Sequence, residues 1–251
     1  MNNNVEIDEH DFLLDDSLSD TSVMSEPEDS PQSVNIDLSH GCPLNNDFHV
    51  VHYNINSITA EGKIVEILEV AKVLKFSVLI CTESKLDQTI PTNLICLPGF
   101  HEPVRRDRNR HGGGCLIYVA NTFTFKQRPE LQSDKYEHIS IDVRVSEKMF
   151  SINCFYRPPN YENHSEFLEE SEKILSKLSQ HKADTKIIAS DLNFGNAYCK
   201  YPILAPKPLD SSAPELYASH GFTQLIDIPT RVTSSSVSLV DLIFVDKLDN
   251  I

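Results

Sequence analysis

The chain has 251 residues, 40% of them hydrophobic, with 8 glycines and 14 prolines, which suits one large globular domain or two small ones. Its net charge of −15 is unevenly spread, because residues 1–47 hold 12 acidic residues and neither Lys nor Arg. The other 204 residues carry 25 acidic and 22 basic side chains. The nearly neutral charge of these 204 residues is compatible with a nucleic-acid partner, whereas the net charge of the whole chain would argue against one.

Residues 1–47 are predicted to be an acidic, disordered tail, followed by one domain over residues 48–251. The tail is rich in Ser, and Phe12 is its only aromatic residue. Such a segment buries too little apolar surface to offset the entropy that ordering costs. A short binding motif around Phe12–Leu14 is the alternative for part of it.

The six cysteines form no CxxC pair and no Cys/His ligand spacing. Cys81, Cys115 and Cys154 lie inside apolar runs, which predicts that they are small buried hydrophobic residues. With no signal-peptide pattern, we expect an intracellular protein, cytoplasmic or nuclear and not secreted. No apolar run approaches the roughly 20 residues of a membrane helix, so no membrane association is expected.

In chain order the sequence predicts an irregular alternation of strands and helices. The hydrophobic spacing predicts strands over 48–56, 76–83, 112–120, 138–145, 148–156, 185–190, 222–228 and 238–246. It predicts helices over 61–74 and 163–181, the latter with Asn163 and Glu166 at capping-box spacing, and a short helix from Ser212 that ends at Gly221. Strict alternation in 138–145 and 148–156 favours an antiparallel hairpin, and the whole favours a layered α/β fold.

Polar residues follow or interrupt the apolar runs of the predicted strands. In open α/β sheets, ligands bind beyond the carboxyl ends of strands, so these residues are candidates for a site. They are Asn54, Glu83, Tyr156, Asp191, Asn193 and Asp241. Each has an ordinary structural alternative, as a turn former, a solvated acid or an interior aromatic residue. Asp241 lies among apolar neighbours, where a carboxylate needs a partner.

Five of these stretches together resemble the endonuclease/exonuclease/phosphatase superfamily, which has the DNase I-like fold. The matching motifs are Asn54-Ile55-Asn56, Thr82–Leu86, Tyr156–Pro159, Ser190–Asn193 and Ser238–Phe244. The stretches at 99–119 and 220–231 resemble the apurinic-type endonuclease domain of non-LTR retrotransposons of the jockey and CR1 types. The resemblance covers about residues 48–251.

The resemblance implies a four-layer sandwich of two mostly antiparallel sheets flanked by helices. Two departures stand out. Ser190 occupies a position where the family usually has Gly. The family's last motif, Ser-Asp-His, is not found before Ile251, so we expect a domain truncated at its C-terminus, without its last strand.

The resemblance also implies metal-assisted phosphodiester hydrolysis. Glu83 and Asn54 would bind Mg²⁺ or Mn²⁺, which prefers oxygen ligands. Asp191 would activate the attacking water, and Asn193 would hold Asp191 or the phosphate. Tyr156 would donate to a non-bridging oxygen, and Asp241 would orient a histidine.

The densest basic run is Arg105-Arg106-Asp107-Arg108-Asn109-Arg110. This run has two interpretations. It contacts a DNA backbone through Arg105, Arg106 and Arg108, or it is a solvated loop. For the glycines at 112–114, a bend into the next strand is favoured over close approach to substrate.

DNA nicking is therefore the expected activity, with a reverse transcriptase domain as an expected neighbour in the full-length protein. The alternatives are a phosphatase or phosphodiesterase of the same fold, since fold alone does not fix the substrate. A catalytically inactive fragment that only binds partners is an alternative of a different class.

Overall fold

The computed structural model describes residues 34–37, 48–159, 163–193, 212–233 and 237–250. The described strands, in chain order, are β1 (Val34–Asp37), β2 (His49–Asn54), β3 (Val78–Thr82), β4 (Val104–Arg106), β5 (Cys115–Val119), β6 (Thr124–Gln127), β7 (Glu137–Val145), β8 (Lys148–Tyr156), β9 (Thr185–Asp191), β10 (Thr223–Gln224), β11 (Arg231–Val232), β12 (Val237–Ser238) and β13 (Asp241–Val245). The α-helices are α1 (Lys63–Leu74), α2 (His164–Gln180) and α3 (Ser212–Ser219). Short 3-10 turns cover Thr92–Ile95, Pro129–Leu131 and Leu248–Asn250.

Two sheets hold most of these strands. The first has the order β1-β2-β3-β5-β4, and the second has the order β10-β13-β9-β8-β7-β6. The strands β11 and β12 pair with each other as a separate ladder. Each large sheet thus comes from one continuous part of the sequence, the first from residues 34–119 and the second from residues 124–245.

Two of the strand pairs are parallel, and the remaining pairs in the large sheets are antiparallel. The parallel pairs are β2 with β3, connected through α1, and β8 with β9, connected through α2. A parallel pair requires such a crossover, and it brings two carboxyl ends to the same edge of a sheet. Each sheet therefore presents two strand ends side by side.

Three apolar clusters separate four layers. One cluster joins residues of both sheets, including Val50 and Ile80 from the first and Ile152 and Ile187 from the second. A second cluster covers the other face of the first sheet, where Ile67 of α1 packs. The third lies on the outer face of the second sheet, with α2 and α3. The order is helix, sheet, sheet, helices, which confirms the predicted α/β sandwich of two mostly antiparallel sheets.

The continuous apolar runs became strands that are buried on both faces. All five residues of β3 and all seven of β9 are buried, as expected of strands between two apolar layers. Cys81, Cys115 and Cys154 are buried free cysteines, which confirms their assignment to the core. Among the described helices, none combines the length and apolarity that crossing a membrane requires.

The N-cap predicted for α2 and the predicted hairpin of β7 and β8 are both present in the structure. Asn163 caps α2, since its side-chain oxygen accepts from the Glu166 amide at 3.1 Å while its own amide donates back to Glu166. The strands β7 and β8 pair from Glu137↔Tyr156 to Val145↔Lys148, with Ser146 at φ 53° in the turn. This is the predicted antiparallel hairpin.

Three differences from the predicted elements have physical reasons. The strand expected over 222–228 stops at Gln224, because the Gln224 side chain bonds the backbone of Ile226 in both directions and closes a local turn. The strands β4, β6 and β11 were missed, and β6 has only one half-buried residue, Phe125, which is too little for an alternating pattern. Finally, β1 pairs with β2, so residues 34–37 do not follow the disorder expected for residues 1–47. The rest of that segment lies outside the described residues, and the tail stays a prediction there.

Candidate active site

The strand register brings five predicted residues to one end of the two sheets. Asn54 is paired with Thr82, so Glu83 follows directly on the neighbouring strand. Tyr156 is paired with Asp191, and Asp191 is paired on its other side with Asp241. We call these five residues, Asn54, Glu83, Tyr156, Asp191 and Asp241, the carboxylate site.

Side-chain hydrogen bonds connect the two sheets within the carboxylate site. The Asn54 amide on the first sheet donates to Asp191 Oδ2 on the second at 3.0 Å. The Tyr156 hydroxyl on the second sheet donates to Glu83 Oε1 at the edge of the first. Residues that are far apart in sequence therefore lie close together, as the motifs predicted.

Glu83 is held in a loop with unusual backbone conformation. Its φ is 57°, and five of the seven non-glycine residues described with positive φ lie in loops that follow the strands of this edge, namely Asn56, Ser57, Glu83, Lys85 and Asn193. Non-glycine residues adopt this region at a cost, and such residues concentrate at functional sites. Hydrogen bonds fix the loop from both sides, since Ser57 N donates to Glu83 O at 2.8 Å and Lys85 N donates to Gly113 O at 2.9 Å.

The glycine run completes the support of Glu83. Gly113 N donates to Glu83 Oε2 at 2.8 Å. Gly113 has φ 70°, and a Cβ atom there would lie 2.4 Å from Arg108 Cζ and 2.6 Å from Glu137 Oε1. The sequence favoured a simple bend at these glycines. They do more than bend the chain, because they let the backbone approach the side chains around the site.

Burial and like charges dominate the electrostatics of Asp191. The side chain is almost fully buried, and burial raises its pKa well above the usual value, with further increases from the charges of Asp241 and Glu83. The hydrogen bond from Asn54 opposes this shift. Asp191 Oδ1 has no hydrogen-bond partner among the described residues. A buried carboxylate with one unpaired oxygen is suited to accept a proton or to contact a cation.

Asp241 and Tyr156 are also shifted. Burial raises the pKa of Asp241, while His52 and Thr230 oppose the increase. Burial and the acceptor Glu83 raise the pKa of Tyr156, so the phenol remains a donor at physiological pH. Asp241 Oδ1, like Asp191 Oδ1, lacks a hydrogen-bond partner in the described part of the chain.

His52 belongs to this site, although the sequence did not single it out. The ring is 1% exposed, with Nδ1 3.6 Å from Asp241 Oδ1 and Nε2 3.4 Å from Thr82 Oγ1. Burial lowers the pKa of His52, and the charge of Asp241 opposes this shift. The signal was the period of two in β2, where Val50 faces the core between the sheets. The same period puts His52 and Asn54 on that face.

Asn193 follows Asp191, and its side chain contacts Arg157 instead of the Asp191 carboxylate, while its expected contact with the phosphate stays a prediction. Its side-chain amide donates to the carbonyl of Arg157 at 2.9 Å. The backbone of Asn193, instead of its side chain, provides the hydrogen bond that lowers the pKa of Asp191. The side chain thus holds the loop that carries the site.

The three arginines predicted to contact DNA differ in their surroundings. The Arg105 guanidinium contacts Asp107 at 2.6 Å and the carbonyls of Ile90 and Asp87 at 2.8 and 2.9 Å, which gives it a structural role in the loop. Arg106 is half-buried and reaches the Asp134 carbonyl at 3.5 Å.

Arg108 lies beside the carboxylate site. Its guanidinium carbon is 5.4 Å from the centre of the Tyr156 ring, and its Nη1 is 3.3 Å from Glu137 Oε1. Its Nε donates to the Gly112 carbonyl at 2.9 Å. Glu137, which the sequence analysis did not select, is paired with Tyr156 across β7 and β8 and so anchors this arginine.

The donor set at the site is made of hard oxygen atoms. In the described residues no group of three His, Cys, Asp or Glu side chains is close enough to form a metal cluster. Mg²⁺ does not require one, because it keeps several waters and is usually bound through one or two carboxylates. The charges of Asp241 and Glu83, which raise the pKa of Asp191, are of the sign that a bound divalent cation would offset.

Two stacked sheets with helices outside, and with polar residues gathered at one edge, define the DNase I-like fold of endonucleases, exonucleases and phosphatases. The chain is similar to the endonuclease domain of TRAS1, a telomere-specific non-LTR retrotransposon, with a TM-score of 0.60 and 15% identity over 78% of this chain and 84% of that one. It is similar to an AP endonuclease from Leishmania major, with a TM-score of 0.60 and 12% identity over 80% and 79% of the two chains. A 3'-5' exonuclease from Neisseria meningitidis gives a TM-score of 0.57 at 16% identity over 78% and 86%.

Neither the family models nor the curated proteins contain a match to this chain.

Proposed function

We propose that this chain is a divalent-metal-dependent hydrolase of phosphodiesters that nicks DNA. The observation that carries the proposal is the convergence of Asn54 with Asp191 and of Tyr156 with Glu83, through hydrogen bonds between the two sheets. A buried carboxylate with a raised pKa beside a phenol donor is a suitable pair for acid–base chemistry at a phosphate.

The residues take the following roles. Asp191 orients the attacking water and accepts its proton, which its raised pKa favours. Tyr156 remains protonated, and when substrate binds its hydroxyl turns from Glu83 to donate to a non-bridging phosphoryl oxygen as charge develops there. Asn54 fixes the Asp191 carboxylate through its other oxygen, Oδ2.

Glu83 and Asn54 Oδ1 are the residues that would hold Mg²⁺ or Mn²⁺, whose charge would neutralise the phosphoryl oxygens. Glu83 has both oxygens fixed, by Tyr156 and by the Gly113 amide, so its carboxylate is oriented before any ligand binds. Such preorganisation is what a site for a transition state requires.

DNA is the proposed substrate for two reasons. One structure of the Neisseria enzyme, a 3' phosphatase, is described as bound to a product DNA hairpin, and the TRAS1 domain is an endonuclease. On this chain, Arg108 at the rim of the site offers a guanidinium for a backbone phosphate, with Arg106 beyond it. A reverse transcriptase domain as a neighbour in the full-length protein remains part of this proposal.

Conversion of supercoiled plasmid to open circles tests the proposal. We expect nicking with Mg²⁺ or Mn²⁺, no nicking in EDTA, and none by Asp191→Asn. Bis(p-nitrophenyl) phosphate and p-nitrophenyl phosphate, assayed in parallel, separate a diesterase from a phosphatase. Hydrolysis of the monoester alone would contradict DNA nicking, and no hydrolysis of any substrate would contradict the enzymatic function.

A further inference from the structure

His52 is a buried titratable group beside the carboxylate site that the proposed mechanism does not use. It lies on β2, two residues before Asn54, in the layer between the two sheets. A polar ring in an apolar layer loses its hydration, so it needs partners that compensate. Among the described residues its two nitrogens face the Thr82 hydroxyl at 3.4 Å and the Asp241 carboxylate at 3.6 Å.

Both partners are fixed by the fold. Thr82 is the last residue of β3 and is fully buried. Asp241 begins β13, and its backbone amide donates to Thr230 Oγ1 at 3.1 Å. Asp241 Oδ1 has no hydrogen-bond partner in the described residues, and His52 Nδ1 is the ring nitrogen that lies 3.6 Å from this atom. A slight closing of the 3.6 Å separation gives a hydrogen bond of ordinary length.

Asp241 in turn faces the residue that performs the proposed chemistry. Asp241 and Asp191 are direct cross-strand partners of β13 and β9. Two acidic side chains at such a position repel each other unless one is oriented away or neutralised by a donor. The orientation of the Asp241 carboxylate therefore affects the electrostatic potential at Asp191.

We propose that His52 is a positioning residue, which holds the Asp241 carboxylate through Nδ1–H while Thr82 fixes the other ring nitrogen. This inference rests on the proposed hydrolysis for its effect on rate, but the contact itself does not depend on it. His52 touches no substrate atom in this scheme, and it acts through Asp241 on Asp191. The imidazole carries its proton on Nδ1, because a carboxylate oxygen accepts and the Thr82 hydroxyl can donate to Nε2.

Two substitutions separate the two ends of the ring. The amide of His52→Asn reaches the place of Nδ1 and can keep the contact with Asp241. The longer His52→Gln reaches the place of Nε2 and keeps only the contact with Thr82. We expect the full chain with His52→Gln to lose about tenfold or more in kcat with little change in KM, and His52→Asn to recover most of the loss. Thermal melts of both variants monitor folding.

A double-mutant cycle with Asp241→Asn decides whether His52 acts through Asp241. The expected result is that His52→Gln costs nothing further in the Asp241→Asn background. Equal losses in both backgrounds, or equal losses for His52→Asn and His52→Gln, would overturn the proposal in favour of a packing role.

Nitrogen NMR of the histidine ring provides a readout that needs no activity. We expect His52 to be the Nδ1–H tautomer, with a shift that changes in Asp241→Asn. The Nε2–H tautomer, or a spectrum unaffected by Asp241→Asn, would overturn the contact. If the wild-type chain hydrolyses nothing while this NMR result holds, the proposed function fails and the His52–Asp241 contact stands.

Discussion

Asn54 and Asp191 are 137 residues apart in sequence, and the amide of the first donates a hydrogen bond of 3.0 Å to the carboxylate of the second. Asn54 ends a strand of the first sheet and Asp191 ends a strand of the second. The site is therefore a property of how the two sheets pack, and variants of its residues should report on both stability and activity.

The first prediction concerns the stability of the protein as a function of pH. The pKa of Asp191 is raised in the folded state, so the folded protein binds this proton more tightly than the unfolded chain. Its contribution is fully present below the unfolded pKa of about 3.9 and is lost as pH rises through the folded value. Asp191→Asn has no carboxyl group to ionise, so the variant does not lose this stability as pH rises. We expect the substitution to stabilise the protein by about 1 kcal/mol or more near pH 8.

Thermal melts in EDTA from about pH 4 to about pH 8 measure the effect, with a flatter curve for Asp191→Asn than for wild type. Asp134→Asn, at an exposed position, is the control. Parallel curves for wild type and Asp191→Asn would show that Asp191 is not a source of the pH dependence.

The second prediction concerns the cation. A ligand that binds only the folded state stabilises it, by about 2.7 kcal/mol at a concentration 100 times its Kd. We expect Mg²⁺ to raise the Tm of the wild-type protein and to leave that of Glu83→Gln unchanged. The control is Glu147→Gln, whose side chain is exposed in the turn between β7 and β8. An equal rise in all three proteins would place the cation elsewhere.

The third prediction separates the catalytic and the stabilising contributions of a tyrosine. Tyr156→Phe removes the donor to Glu83, and we expect kcat for nicking to fall about 10²–10³-fold. Tyr118→Phe also removes a buried tyrosine hydrogen bond, to the Ile95 carbonyl at 2.8 Å, but on the α1 side of the first sheet. That control should cost about 1 kcal/mol of stability and keep its kcat. Equal kcat values for the two variants would remove Tyr156 from the mechanism.

The fourth prediction compares two glycines with similar backbone. Gly99 has φ 88° with open space where an added methyl group would lie, whereas at Gly113, with φ 70°, a methyl would collide with Arg108 and Glu137. We expect Gly99→Ala to cost about 1 kcal/mol from the backbone alone. Gly113→Ala should cost about 1–3 kcal/mol more from the overlap and should lower activity, since Gly113 N holds Glu83. Denaturant unfolding measures both, and equal costs would contradict the close approach.

The fifth prediction assigns different roles to two arginines. In the inactive Asp191→Asn background, Arg108→Ala should reduce the slope of log affinity for duplex DNA against log salt by about 0.9, as for one lost phosphate contact. Arg105→Ala should leave that slope unchanged and cost about 1–3 kcal/mol of stability, because its partners Asp87, Ile90 and Asp107 lose their donor. The reverse pattern in binding titrations and melts would exchange the two roles.

The sequence predicted those parts of the fold whose signal is local. The runs that became β3 and β9 are continuously apolar, and Asn163 with Glu166 shows its capping pattern within four residues. The short β4 and the mostly exposed β6 have no such signal, since pairing with β5 and β7 alone defines them.

The site was predictable to the extent that it follows strand ends. Asn54, Glu83, Tyr156, Asp191 and Asp241 stand at such ends, and the register brings them together. His52 and Glu137 were missed because their partners, Asp241 and Arg108, lie on other strands or loops. The structural role of Arg105 was missed for the same reason, because the carbonyls that it contacts belong to a loop that no sequence pattern relates to this arginine.

The two parallel crossovers, β2–α1–β3 and β8–α2–β9, belong to separate sheets, and the sheets come from consecutive stretches of chain joined through residues 120–123. Each stretch contains the local contacts that form early in folding, whereas the Asn54–Asp191 bond closes a loop of more than a hundred residues. The Asn54–Asp191 contact therefore forms only when the two sheets pack against each other. If the chain nicks DNA as proposed, a chain divided between Ala120 and Phe123 would be a split enzyme, whose nicking activity would report the reassociation of its two fragments.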